Sequence, residues 1–294
     1  MAKKHPQPKY NKKTIVLVSA GIAVALAIVL VLCLVGGGAV NAVQKAARKT
    51  LLADNFTAEF SFDINGETTD GFMHVSTDRQ AKKLEMYMEF TTRAGDFFGG
   101  IYKNKFVVSD AASSDSAIVD ITDNVDAFFD ALDNGQADWA SLLNFDGYDL
   151  HGAIDQSFDF DALLSCMEEF LKQLNDTGWA ESYAGYSKGL EKGVTKYNFQ
   201  PDPYVLLSQS LPLFQSAFRN TQDYKDLMTY VDDAKVLLQR GNAAACFGVR
   251  RGYLVSADFE LQYHNSDIAC AVTFTDIGST VVDNGYVAFI VEEE

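Results

Sequence analysis

One uninterrupted apolar run constrains everything else in this chain. Ile15 to Val35 is 21 residues long and holds no charged side chain. A helix rises about 1.5 Å per residue, so this run spans about 30 Å, the thickness of a bilayer's hydrocarbon core. The segment before it carries Lys3, Lys4, Lys9, Lys12 and Lys13 and no acid. An excess of Lys and Arg marks the cytoplasmic flank of a membrane span. The expectation is a single-pass protein of the cell membrane with its N-terminus in the cytoplasm. Residues 1–13 form a basic cytoplasmic tail and 14–36 the transmembrane anchor. Residues 37–54 are a juxtamembrane linker and helix, and 55–294 an extracytoplasmic domain. Two alternatives attach to the same run. Val40-Asn41-Ala42 could serve a signal peptidase, although a cleaved signal has an apolar region of only about 7–15 residues. Lipidation of Cys33 asks for a small residue before it, and Leu32 stands there.

Charge separates the two sides of the anchor. The whole chain has a net charge of −16, and the tail before Thr14 is wholly basic, so the outer domain is more acidic still. A surface of that sign repels nucleic acid and anionic head groups, which excludes nucleic acid as a partner. Cys33 lies in the anchor, and Cys166, Cys246 and Cys270 show neither disulfide nor zinc spacing. Cys246 and Cys270 fall two strands apart, about 10 Å, beyond disulfide reach.

Beyond the anchor the period of the apolar residues sets the elements. Asn41 to Leu52 reads as a helix with Val43, Ala46, Ala47, Thr50 and Leu51 along one stripe and Asn41 as its N-cap. From Phe56 the period is two: Phe56, Ala58, Phe60, Phe62 and Ile64 alternate with polar residues. Asn65-Gly66 then signals a tight hairpin, because both turn residues must take positive φ. Pairing across it sets Phe60 opposite Gly71 and Ala58 opposite Met73. Leu84 to Phe90 alternates again, and Phe97 to Tyr102 and Phe106 to Ser109 flank Lys103-Asn104-Lys105, which gives five consecutive antiparallel strands. Thr122 caps a helix with Val125, Phe128, Phe129 and Leu132 on one face. Helical patterns follow around Trp139, from Asp159 to Leu174, from Val205 to Phe218 and from Thr221 to Leu238. Strand patterns lie at Trp179 to Ala184, Val194 to Phe199, Ala243 to Arg250, Tyr253 to Tyr263, Ile268 to Thr275 and Val281 to Val291. The order of elements predicts an α+β fold, with one antiparallel sheet covered on one face by helices.

Chemistry-bearing motifs are few. Gly185-Tyr186-Ser187-Lys188-Gly189 fits G-x-S-x-G, but that motif works only where a strand turns sharply into a helix, and here a second strand follows. His264 is the only downstream histidine, and His5, His74 and His151 lack ligand spacing. No enzyme activity, cofactor or metal is expected. Between Phe106 and Leu171 the chain has 15 acids and no Lys or Arg. Asp123, Asp126, Asp130 and Asp133 repeat at helical spacing and line the wet side of that helix. Leu132 breaks the calcium-loop pattern where an oxygen is needed. This acidic window suits a protein partner.

The strongest candidate for ligand binding is one sheet face. Phe60, Phe62, Met73, Leu84, Met86, Met88 and Phe90 share it by alternation. Methionine adapts to irregular partners such as an acyl chain, though the same set also suits ordinary core packing.

The helix Asn41 to Leu52, the hairpin at Asn65-Gly66, the strand Leu84 to Phe90 and the return to strands after Gly241 resemble the half-barrel carriers of lipoproteins and lipids, the Lol-type and LppX-type families. The resemblance covers most of residues 41–290 as architecture, and no family motif transfers residue by residue. It implies a strongly curved antiparallel sheet, a half-barrel, with helices plugging its concave side and an acyl chain between them. It departs from those carriers in being tethered where they shuttle.

Overall fold

The computed structural model describes residues 38–92, 95–110, 116–134, 185–200, 241–263 and 266–293, with short stretches and single positions between 141 and 228. The run Ile15–Val35 lies outside them. Among the described residues no helix is long and apolar enough to cross a membrane.

Four two-residue turns organise the strands. Asn65-Gly66, Lys103-Asn104, Lys192-Gly193 and Arg251-Gly252 all take positive φ at both positions. That geometry matches the natural twist of hairpin strands. Strand β1 (Asn55–Ile64) pairs with β2 (Glu67–Asp78), followed by β3 (Lys83–Thr92), β4 (Gly95–Tyr102), β5 (Lys105–Asp110) and β6 (Ser116–Asp120). The register puts Phe60 opposite Gly71 and Ala58 opposite Met73, as the turn dictates. The first meander therefore has six strands rather than five, because Ser116–Asp120 adds an edge strand too short to announce itself by alternation.

The second half supplies β9 (Ser187–Glu191), β10 (Val194–Phe199), β11 (Asn242–Arg250), β12 (Tyr253–Tyr263) and β13 (Ser266–Thr275), after a two-residue pair, β7 (Asn144–Phe145) with β8 (Tyr148–Asp149). β13 pairs with β1 over Thr57–Ile64. One sheet of 11 antiparallel strands results, in the order β6-β5-β4-β3-β2-β1-β13-β12-β11-β10-β9. The hairpin Ser187–Glu191/Val194–Phe199 holds part of what alternation assigned to this region. Residues 179–184, and most of the helical patterns between Trp139 and Leu238, lie outside the described residues.

Helix α1 (Gly38–Leu51) covers the middle of one face, here called inner. It begins at Gly38, so Asn41 sits within it and is not its cap. Val43, Ala46 and Ala47 share one buried cluster with Phe56 and Ala58 of β1, Val75 of β2, Phe274 of β13, Leu254 of β12 and Tyr197 of β10. Thr50 fastens the helix: its buried hydroxyl donates to the Leu254 carbonyl at 3.1 Å and accepts from the Leu254 N–H at 2.9 Å. Helix α2 (Thr122–Asn134) covers the inner face further along, with Val125 and Phe129 on Ile101 and Ile121. Thr122 is its first helical residue rather than its cap. The Asp120 carboxylate accepts the Thr122 N–H at 2.9 Å, and the Ile121 carbonyl takes the first helical bond from Val125.

The end of the chain corrects two expectations. Val281 to Val291 is not a strand: Gly285–Glu293 is helix α3. The Asn284 carbonyl accepts the Ala288 N–H at 2.7 Å and the Asp283 carboxylate the Gly285 N–H at 3.1 Å, so Asp-Asn-Gly opens a helix. A short β-branched run has no period that separates helix from strand. α3 also lies on the outer face, so the helices do not keep to one side. Gly100 makes room for it. A Cβ there would sit 3.0 Å from Val287 and overlap the Met86 carbonyl. Val287 is fully buried beside Val107 and Ser109.

Candidate functional site

The register brings all seven candidate residues, Phe60, Phe62, Met73, Leu84, Met86, Met88 and Phe90, to the inner face. They then divide by what covers them. Met73, Leu84 and Met86 pack against the clusters under α1 and α2. Met88 and Phe90 are buried, and the Phe90 ring stacks on Phe97 at 5.3 Å. Phe60 and Phe62 belong to neither cluster and stay half-buried, edge to face at 6.4 Å.

Around them the inner face continues as an apolar shelf at the Asn65-Gly66 end of the strands. Phe62 lies opposite Cys270, and Cys270 opposite Phe259 on the next strand. Ile64 is 53% exposed and Phe259 42% exposed. Aliphatic and aromatic side chains left this open forgo part of the roughly 1.5–3 kcal/mol that full burial of each yields. Cys270 sits in the middle of the shelf, and burial pushes its thiol above the ordinary range, so it stays a neutral apolar group at neutral pH. Cys246 is on β11, with β12 between, and points to the outer face beside Lys196 and Asp258. Both are free thiols, as the two-strand separation requires.

One polar group interrupts the inner side. Gln44 of α1 is buried, and neither its Oε1 nor its Nε2 has a partner among the described residues. An enclosed amide left unsatisfied costs about 1–3 kcal/mol. Nothing in the residue pattern marks it, because Gln44 sits between Val43 and Lys45 at a position flanking the apolar stripe.

The outer face is different in character. Glu59, Asp70, Phe72, His74 and Glu89 line a shallow groove of about 730 Å³. His74 faces outward as alternation predicts, with its ring 4.9 Å from Phe72. Tyr87 donates to Glu89, and burial together with that bond raises the phenol well above its ordinary value.

The remaining motifs find plain structural roles. Ser187 is the exposed first residue of an edge strand, with no helix after it, and His264 lies outside the described residues. Asp123, Asp126, Asp130 and Asp133 are exposed along α2, and Asp130 pairs with Lys82 at 2.7 Å. No group of three metal-ligating side chains occurs among the described residues.

An open antiparallel sheet with an apolar inner face and a polar outer one is the class that fold and site define. The chain matches no protein-family model, and no curated protein is significantly similar to it.

Proposed function

We propose that this protein is a membrane-anchored, extracytoplasmic, non-enzymatic binding domain that holds an apolar ligand, a lipid or its like, against the inner face of its sheet. The open shelf formed by Phe60, Phe62, Ile64 and Phe259 carries the reading. A mostly apolar site is the usual form of a small-ligand pocket. The half-barrel resemblance supports the same reading. A cluster shared by α1 and strands from β2 to β10 crosses five strand spacings, about 24 Å on a flat sheet. A helix only about 10–12 Å across shares such a cluster more readily when the sheet curls round it. The run Ile15–Val35 and its lysine flank support the anchor and the location. Native mass spectrometry of the full chain released from detergent tests the proposal. A bound lipid mass, lost in Phe62→Asp, is the expected result, and a bare protein mass under the gentlest release overturns it.

A second reading, a cell-surface module that recruits a protein partner through its acidic face, is favoured by the exposed aspartates along α2. Changing Asp123, Asp126 and Asp133 to amides removes the partner in a pull-down if this reading holds, and leaves it bound if it does not.

A further inference from the structure

Several basic residues of this acidic chain gather at one end of the sheet. The turns at the end of the sheet where β1 begins carry Arg79, Lys82, Lys103, Lys192 and Arg251. The last two turns of α1 reach the same end and add Lys45, Arg48 and Lys49. These three stand at i, i+3 and i+4, on one exposed ridge of the helix. Like charges at that spacing repel, each pair costing about 0.2–0.5 kcal/mol in an isolated helix. Cations in a last helical turn are ordinarily explained by the helix dipole. That explanation covers Arg48 and Lys49 and leaves out Lys45.

The ridge borders a cavity of about 500 Å³, open to solvent, whose other walls include Tyr253, Ile277 and Asp54. Lys49 is already placed in it: its ammonium donates to the Arg251 carbonyl at 3.2 Å and lies 3.9 Å above the centre of the Tyr253 ring. Gly252 holds φ at +81° in this turn, a conformation that residues with a side chain rarely adopt, and a Cβ there would lie within ordinary contact distance of Lys49. Lys82 and Lys103 spend their charge on Asp130 and Glu292. Among the described residues Lys45, Arg48 and Lys49 form no ion pair, and the Asp54 carboxylate stays beyond salt-bridge distance of them.

We propose that this cavity is an anion site for a phosphate group, gripped by Lys45, Arg48 and Lys49, with the Tyr253 ring holding the Lys49 ammonium in place beneath it. Arg binds phosphate through paired N–H donors, and Lys neutralises it as a point charge. The proposal stands independently of the apolar shelf, because α1 presents this ridge on the side away from its buried stripe. The phosphate belongs either to a free phosphate compound or to a lipid head group.

Calorimetry on the full chain in neutral detergent at low salt tests it, with inorganic phosphate in one arm and a water-soluble short-chain phosphatidic acid in the other. Heat in the first arm assigns a free phosphate site, and heat only in the second assigns a head group. No heat in either arm at millimolar ligand overturns the proposal. The double variant Lys45→Gln, Arg48→Gln weakens binding about tenfold or more. It leaves the thermal midpoint unchanged or raised, because it relieves the like-charge ridge. A lowered midpoint with unchanged binding assigns the ridge a structural role only and overturns the site. Lys82→Gln, at the same end but already paired, leaves binding as it was. An equal loss in Lys82→Gln means a diffuse field rather than a site, which also overturns it.

Discussion

The two faces of the sheet are covered by helices in opposite ways. On the inner face, α1 and α2 press apolar stripes onto apolar strands, and Phe129, Val125 and Val43 are nearly or wholly buried. On the outer face, α3 settles into a small notch made by Gly100, Val107 and Ser109, while Tyr286 and Phe289 remain 50% and 57% exposed. The inner contact is broad and hydrophobic, and the outer one is local and depends on the absence of a side chain. A sheet can thus be polar on one side and still dock a helix there, provided one position lets the backbones approach.

The largest effect is expected from breaking the inner cover. Phe129→Ala opens a cavity in a fully buried position and costs about 3–5 kcal/mol, read from urea unfolding. Thr50→Val comes next. It strands the Leu254 N–H and carbonyl in a buried place, at about 1–3 kcal/mol for each group left unpaired, and it loosens α1 more than α2 in hydrogen exchange. On the outer face, Gly100→Val costs about 1–3 kcal/mol through overpacking. Its signature is selective exchange in residues 285–293, with α1 unchanged. Comparable exchange across α1 would erase the distinction between the two covers.

A smaller effect sharpens the comparison within the inner face. The Thr122 N–H holds the Asp120 carboxylate below the ordinary carboxylate range. A depressed pKa adds stability above the unfolded-state value, and that contribution is lost as pH falls through the folded-state value. Asp120 is exposed and its charge is screened by solvent, so Asp120→Ala costs only about 0.2–1 kcal/mol at neutral pH, and the difference from the parent vanishes in strong acid. Persistence of the full difference at pH 2 would assign it to packing instead.

What the sequence showed, and what it hid, follows from the range of each interaction. The hairpin at Asn65-Gly66 and its register were legible because turn chemistry and alternation act within a few residues. The seven inner-face residues were legible for the same reason. The β1–β13 pairing joins strands about two hundred residues apart and leaves no local mark. Helix α3 was misread because Val287, Ile290 and Val291 favour strands by propensity, and only the notch at Gly100 and the capping by Asp283 and Asn284 decide otherwise. Helix α2 was found, but its acceptor was assigned to Thr122, two residues late. Gln44 could not be singled out, since one Gln in a helix is unremarkable until its surroundings are known.

Paired substitutions on the two faces test the central claim most directly. Phe62→Asp places a charge on the inner shelf, and Phe72→Asp places one on the outer groove, each in the full chain. Titration with a fluorescent fatty acid should show binding by the parent and by Phe72→Asp, and a loss of about tenfold or more in Phe62→Asp. Equal loss in both variants, or no binding by the parent, would contradict an apolar ligand held on the inner face.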